Sequence, residues 1–413
     1  LPRHAFPDWY PAHQDRGQQL ETAHGHRGDE SGCLQHRGEY LFVAQGKDGM
    51  RVYDVASIAN KGISQRIITA PFSPLGHDTH IASANATCVV LPTNQPIHPD
   101  RNQGDLMRKT NEEQPFHPIY DYAFITDAEE GLILTDVNTL ADGKPRNNYL
   151  TRALTWNEGG ILNGARHLTI AGHFFYVATP RGIVVLDMDD PLQPKVLASI
   201  ELPNARASAL QLRYWFVADG GGLSVVDVTN PSEPRVVPGA KIALQDARRV
   251  YLARTFAYVA AGSQGIAIVD IERPEQPKLY QLYNADGKIA DAYDVTAAST
   301  NASLFAYVAD GANGLHVVQL TAPDTQPRFY GFSPDPKPEL IATRRTRWPA
   351  LSLSKGLDRD RAVDETGHQI AIFGRMGSRP FNMQEMQRLY LDKGKPWFVD
   401  DEPRMRNLLP ARH

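Results

Sequence analysis

The sequence predicts an all-β fold, a propeller of four-stranded antiparallel blades, on three observations. The first is a repeated text. Phe216-Val217-Ala218-Asp219-Gly220 runs into Gly222-Leu223-Ser224-Val225-Val226-Asp227-Val228. Close copies lie at Tyr176 to Met188, Tyr258 to Ile271 and Tyr307 to Leu320, and looser ones at Phe42 to Val55 and Phe124 to Val137. A period of roughly 40–50 residues marks a propeller, a solenoid or an array. The second is composition within the unit. β-Branched and aromatic residues dominate, and no stretch of the repeats has helical periodicity. The third is punctuation. Gly262 and Gly265 bracket one turn, and Arg273-Pro274-Glu275-Gln276-Pro277 marks the next connection, because proline cannot donate to a ladder.

The unit from Asp246 shows the four strands in order. They are Ala247 to Leu252, Phe256 to Ala260, Ile266 to Ile271 and Lys278 to Leu282. A four-stranded blade has two faces to bury, and radial stacking covers both. Six units are legible at about 31–75, 77–156, 160–203, 205–244, 246–288 and 291–341. The second carries an insertion at about 94–118, rich in Pro, Asn, Asp, His and Glu. The segment 342–378, which includes a strand-like His368-Gln369-Ile370-Ala371-Ile372-Phe373, is expected to help complete a seventh blade. Seven blades are therefore favoured, with six as the alternative. An extended N-terminal arm is expected over 1–30, the propeller over 31–378 and a C-terminal extension over 379–413. Within that extension Asn382 through Tyr390 reads as a short helix, capped by Asn382 with Glu385 at the third position.

Gly222–Val228 and Gly265–Ile271 resemble the LVIVD repeat family, closely over 160–320 and more loosely over 38–156. The resemblance implies a β-propeller and an exported or surface protein. It implies no reaction, since fold alone never does.

The 413 residues suffice for a large core, and the formal net charge is −4. Nothing in that charge suggests a nucleic-acid partner. No run of 18 apolar residues is present, so no transmembrane segment is expected. The chain begins Leu1-Pro2-Arg3, which reads as a processed mature chain or a fragment. Its two cysteines, Cys33 in the first strand of the first unit and Cys88 early in the neighbouring second unit, form either an oxidised pair or two buried thiols. Neither lies in Cys-x-x-Cys-His, so no covalent c-type haem is expected.

The first strand of each blade lines the channel, so its residues are the first candidates for function. Arg166, Arg206 and Arg248 stand eleven residues before the valine of each Tyr/Phe-Val-Ala tract. They form either a channel anion site or blade-to-blade pairs with acids such as Asp246, Asp291 and Asp294; the repetition favours the pairs. His77, His80, His98 and His117, with Asp78 and Asp121, have metal-ligand chemistry but fit no tight template. Asp127-Ala128-Glu129-Glu130-Gly131 and Asp187-Met188-Asp189-Asp190 are fragments of calcium loops without the distal Glu. Ca2+ or another metal is thus a subsidiary expectation, and no cofactor is predicted in this chain.

His24 and His26 in the arm, and Trp348 and Trp397 near the C-terminus, are candidate interaction residues; Arg344, Arg345 and Arg347 flank Trp348. No Gly-x-Ser-x-Gly, P-loop or dinucleotide fingerprint is present. The reading that follows is a non-enzymatic exported propeller, periplasmic or at the cell surface. It would act as a scaffold or complex subunit for a protein partner such as a multihaem cytochrome. The alternative is an enzyme, or an anion- or metal-binding propeller, with its site at the channel mouth.

Overall fold

The computed structural model describes residues 31–55, 79–93, 99, 116–144, 148–299, 303–323, 333–355, 375–376 and 379–396. Six four-stranded antiparallel sheets follow one another along the chain, each in the order in which its strands occur. Blade one is β1 (Cys33–Arg37), β2 (Tyr40–Ala44), β3 (Met50–Asp54) and β4 (His80–Ile81). Blade two is β5 (Ala86–Val90), β6 (Tyr122–Asp127), β7 (Gly131–Asp136) and β8 (Thr151–Trp156). Blade three is β9 (His167–Ala171), β10 (Phe174–Ala178), β11 (Gly182–Asp187) and β12 (Lys195–Glu201). Blade four is β13 (Ala207–Gln211), β14 (Tyr214–Ala218), β15 (Gly222–Asp227) and β16 (Arg235–Ala243). Blade five is β17 (Arg249–Ala253), β18 (Phe256–Ala260), β19 (Ile266–Asp270) and β20 (Lys278–Tyr283). Blade six is β21 (Asp294–Ser299), β22 (Leu304–Ala309), β23 (Leu315–Thr321) and β24 (Glu339–Arg344).

The second strand of blades three, four and five is apolar throughout because both its faces are covered. Side chains alternate across a strand, so β10 sends Phe175 and Val177 toward blade two, and Phe174 and Tyr176 toward blade four. β14 repeats the division. Trp215 and Val217 join the core with blade three, while Phe216 joins the core with blade five. Five such cores run from blade one through blade six. Gly182 and Gly222 show why the third strand opens on glycine. A Cβ there would fall 2.1 Å from the Ile200 carbonyl oxygen and 1.9 Å from that of Ile242.

The inner strands stand side by side from β1 through β5, β9, β13 and β17 to β21. Between blades six and one the join is different. An extended segment, 350–355, is held there by hydrogen bonds. Ala350 bridges Gly311, as Ala292 bridges Gly262 one blade earlier. The Leu353 N–H donates to Asp294 Oδ2 at 2.8 Å and the Ser352 hydroxyl to the Ser31 carbonyl at 2.7 Å. The Ser354 hydroxyl in turn accepts from the His36 N–H at 2.8 Å. This corrects the favoured blade count from seven to six. The segment 342–378, expected to help build a seventh blade, contributes among the described residues the end of β24, one inner segment and the short strand Arg375–Met376, which pairs with Arg379–Pro380 and with no blade. The expected strand at 368–373 lies outside the described residues.

Beyond the wheel, the helix Met383–Tyr390 has the expected cap. Asn382 Oδ1 accepts from the Glu385 N–H, and the Glu385 carboxylate accepts from the Asn382 N–H. Met386 and Tyr390 complete the core between blades three and four, beside Tyr176 and Trp215.

Candidate functional site

The inner strands enter the wheel in one register. The N–H groups of Arg166, Arg206, Arg248 and Tyr293 donate to the carbonyls of Ala178, Ala218, Ala260 and Ala309, at 2.8–2.9 Å. These four residues are therefore equivalent, and so are the four that follow them: His167, Ala207, Arg249 and Asp294. Cys33 and Cys88 occupy that second level in blades one and two. They are joined by a disulfide with Cα atoms 4.7 Å apart.

At the first level each arginine reaches the next blade. Arg206 Nη1 binds Asp246 Oδ1 and lies 3.4 Å from the Ala247 carbonyl. Arg248 donates from Nε to Asp246 Oδ2 at 2.7 Å and from Nη1 to Asp291 Oδ1 at 2.9 Å. Its guanidinium stacks 4.1 Å from the centre of the Tyr293 ring. Arg166 Nη1 makes the corresponding bonds to Asn204 Oδ1 at 2.7 Å and to the Ala205 carbonyl at 3.4 Å. Burial alone would raise the Asp246 carboxyl, but the hydrogen bonds from Arg206 and Arg248 hold it below its ordinary value. Arg166 shifts down instead, through burial and then the neighbouring charge of Arg206.

The second level carries a group of ionisable residues, Arg249, Asp294 and His167, of which the sequence reading names Asp294 alone, as a partner for the first-level arginines. Arg249 Nη2 donates to the Gly32 carbonyl of blade one at 2.7 Å. Enclosure pushes the Asp294 carboxyl up to about 6, opposed by Arg249 and by the N–H groups of Leu353 and Val295. His167 is held well below its ordinary value, first by burial and then by the Arg249 charge. His167 and Arg249 sit one residue after Arg166 and Arg248, and Asp294 one residue after the equivalent Tyr293. In a strand that offset turns a side chain to the other face. The available signal was an ionisable residue at this register in blades three, five and six, with Ala207 in blade four.

Of the four expected histidines two are described, His80 and His117, and they have different partners. His77 and His98 lie outside the described residues, as do His24, His26 and Trp397. His80 Nε2 contacts the Asp48 carbonyl oxygen. His117 caps a short turn, its Nδ1 accepting from the Ile119 N–H at 3.2 Å, and its Nε2 lies 3.5 Å from Asp189 Oδ1. No three His, Cys, Asp or Glu side chains among the described residues are disposed to hold a metal ion. Trp348 is 73% exposed, with the Arg347 guanidinium 5.6 Å from its ring centre.

One further buried array has catalytic-looking chemistry. His316 Nε2 lies 3.1 Å from Asp310 Oδ2, and its Nδ1 lies 2.9 Å from Thr343 Oγ1. The blade-four equivalent identifies its role. There Asp219 Oδ2 accepts from Ser224 Oγ at 2.7 Å and from Lys241 Nζ at 2.8 Å. Both arrays satisfy the buried aspartate of the Ala-Asp-Gly turn, which must be paired once out of water.

The wheel of six blades is a β-propeller. A family model for the LVIVD repeat matches residues 164–200, 209–238, 245–285 and 303–324. This propeller carries LVIVD repeats in blades three to six; blades one and two share the fold outside those matches. A comparison with curated proteins gave no match. Among solved structures the chain is similar to a protein from Lactobacillus plantarum, at 12% identity and a TM-score of 0.50, covering 78% of this chain and 86% of that one. It is also similar to the β-propeller domain of a Myceliophteria thermophila protein, at 14% identity and a TM-score of 0.45, covering 78% and 88%. A third is a putative 6-phosphogluconolactonase from Bacteroides uniformis, at 9% identity and a TM-score of 0.45, covering 78% and 87%. At these identities the likeness concerns the fold alone.

Proposed function

We propose that this protein is a non-enzymatic interaction scaffold, exported to the periplasm or cell surface, where it docks a protein partner. The observation that carries the reading is the loop after β24. Arg345 and Arg347 are exposed there beside Trp348, with Arg344 exposed at the end of β24 just before them, and none of the three arginines forms an ion pair among the described residues. Arginine and tryptophan dominate the energetic centres of protein interfaces. The disulfide supports an oxidising compartment, since such bonds persist mainly in secreted and periplasmic proteins. A redox protein such as a multihaem cytochrome is one partner of the proposed kind, for which the histidines of the arm would be suitable contacts.

The test is purification from the native source under mild conditions, with mass spectrometry and an optical spectrum of the intact particle. A stoichiometric subunit, lost when Arg345→Glu and Trp348→Ala are introduced together, supports the scaffold. A monomer in both cases rejects it.

A further inference from the structure

The first-level arginines follow a rule. Each donates to the residue before Ala205, Ala247 or Ala292, the alanine that stands two residues ahead of the next blade's inner strand. In blades five and six that residue is an aspartate, Asp246 or Asp291. In blade four it is Asn204, which offers an amide oxygen and no charge. Arg166, Arg206 and Arg248 thus share two carboxylates, and the uncompensated cation is at Arg166.

We propose that Arg166 and Arg206 form a binding site for a compact oxyanion, a carboxylate or a phosphate, at the channel mouth between blades three and four. Each guanidinium uses only Nη1 for its blade-to-blade bonds, so Nε and Nη2 of both have no partner among the described residues. Two guanidinium edges from adjacent strands offer the paired donors that an oxyanion accepts. Gly220 forms the wall. Its backbone is left-handed at φ 73°, and a Cβ there would fall 2.3 Å from Asn204 Nδ2 and 3.1 Å from Arg206 Cζ. Any side chain at 220 would press on the guanidinium that the anion needs. The site is independent of the loop proposed for docking, and either reading stands if the other fails.

Asn204→Asp is the decisive variant, because it supplies the missing carboxylate in place. Asn204 has φ 63°, a conformation that aspartate also tolerates. Thermal melts and calorimetric titrations would be run with inorganic phosphate and with succinate, against sodium chloride at equal ionic strength. Wild-type protein is expected to gain roughly 2 °C or more at saturating phosphate or succinate beyond the chloride control. Response to phosphate alone, or to succinate alone, identifies which oxyanion the site takes.

Asn204→Asp is expected to melt roughly 1–2 °C above wild type in anion-free buffer and to lose the response. Arg166→Gln should lose it as well. Arg235→Gln, on the outer strand of blade four, should keep it. The proposal is overturned if wild type responds no more than to chloride, if Asn204→Asp responds as wild type does, or if Arg235→Gln loses the response equally.

Discussion

Arg249 of blade five donates to the carbonyl of Gly32 in blade one, at 2.7 Å, across the place where the ring closes. The cores that weld the other neighbours join successive blades from one to six. Among the described residues, the join between blades six and one runs through polar bonds from Asp294 and the segment 350–355, and Arg249 of blade five adds its own bond to blade one. A propeller gains its stability from each blade's contact with its neighbours. A polar tie at the join therefore contributes to the stability of the whole ring. Arg249→Met removes the tie and strands the Asp294 carboxylate, so unfolding stability should drop by roughly 2 kcal/mol. Adding Asp294→Asn should recover part of that. Urea titration of the two single variants and the double variant reads the coupling; a loss below about 0.5 kcal/mol for Arg249→Met would refute the closing role.

Acidity acts on the same pair with a definite sign. The folded Asp294 carboxyl titrates at about 6, above its unfolded value near 3.8. Its contribution is fully present below pH 4 and is lost as pH rises through 6, on the order of 1–3 kcal/mol. His167 works the other way. Its depressed folded value gives stability above pH 6.5 that is lost on acidification. The two trends offset each other between pH 4 and 6.5. Asp294→Asn should therefore turn a flat profile into one that falls steadily toward acid. Denaturation midpoints at pH 5, 6 and 7 test this; parallel profiles for wild type and variant would exclude Asp294 as the titrating group.

The covalent tie stands between blades one and two. Cys33 and Cys88 close a loop of 55 residues. Reduction, or Cys33→Ser with Cys88→Ser, should cost roughly 2–4 kcal/mol. Folding should remain cooperative, because Gln35 also binds both the N–H and the carbonyl of Leu91 across the same join. An unchanged melting temperature after full reduction, verified by thiol titration, would contradict this.

The repeat text made the architecture readable, because each blade must hide two faces and writes that need into β10, β14 and β18 as continuous apolar runs. The blade-to-blade arginines were readable for the same reason: a residue repeated at one register has one repeated job. Legibility ended where the repeat breaks. Asn204 differs from Asp246 and Asp291 by a single charge, and its meaning emerges only when Arg166 is placed against it. Segment 350–355 resembles no blade strand, because its bonds run through Ser352, Ser354 and backbone groups to distant partners. Neither local propensity nor spacing encodes such partners.

The C-terminal helix should detach without unfolding the wheel. Its start is fixed by the Asn382–Glu385 cap and by two 2.8 Å bonds from Arg379 to the Glu385 carboxylate. Those bonds from Arg379, with that from the Asn382 N–H, hold the Glu385 carboxyl down at about 2. A depressed folded value means that its stabilisation is present above about pH 4.5 and is lost only as pH falls through 2. The helix end should thus stay docked across the neutral and mildly acidic range. Asn382→Ala removes the cap and should weaken docking by about 1 kcal/mol. Hydrogen exchange should then accelerate over 383–391 while β10 and β14, behind the apolar contact of Met386 and Tyr390, keep their protection. Equal acceleration in β10 and β14 would mean that helix and wheel unfold as one unit.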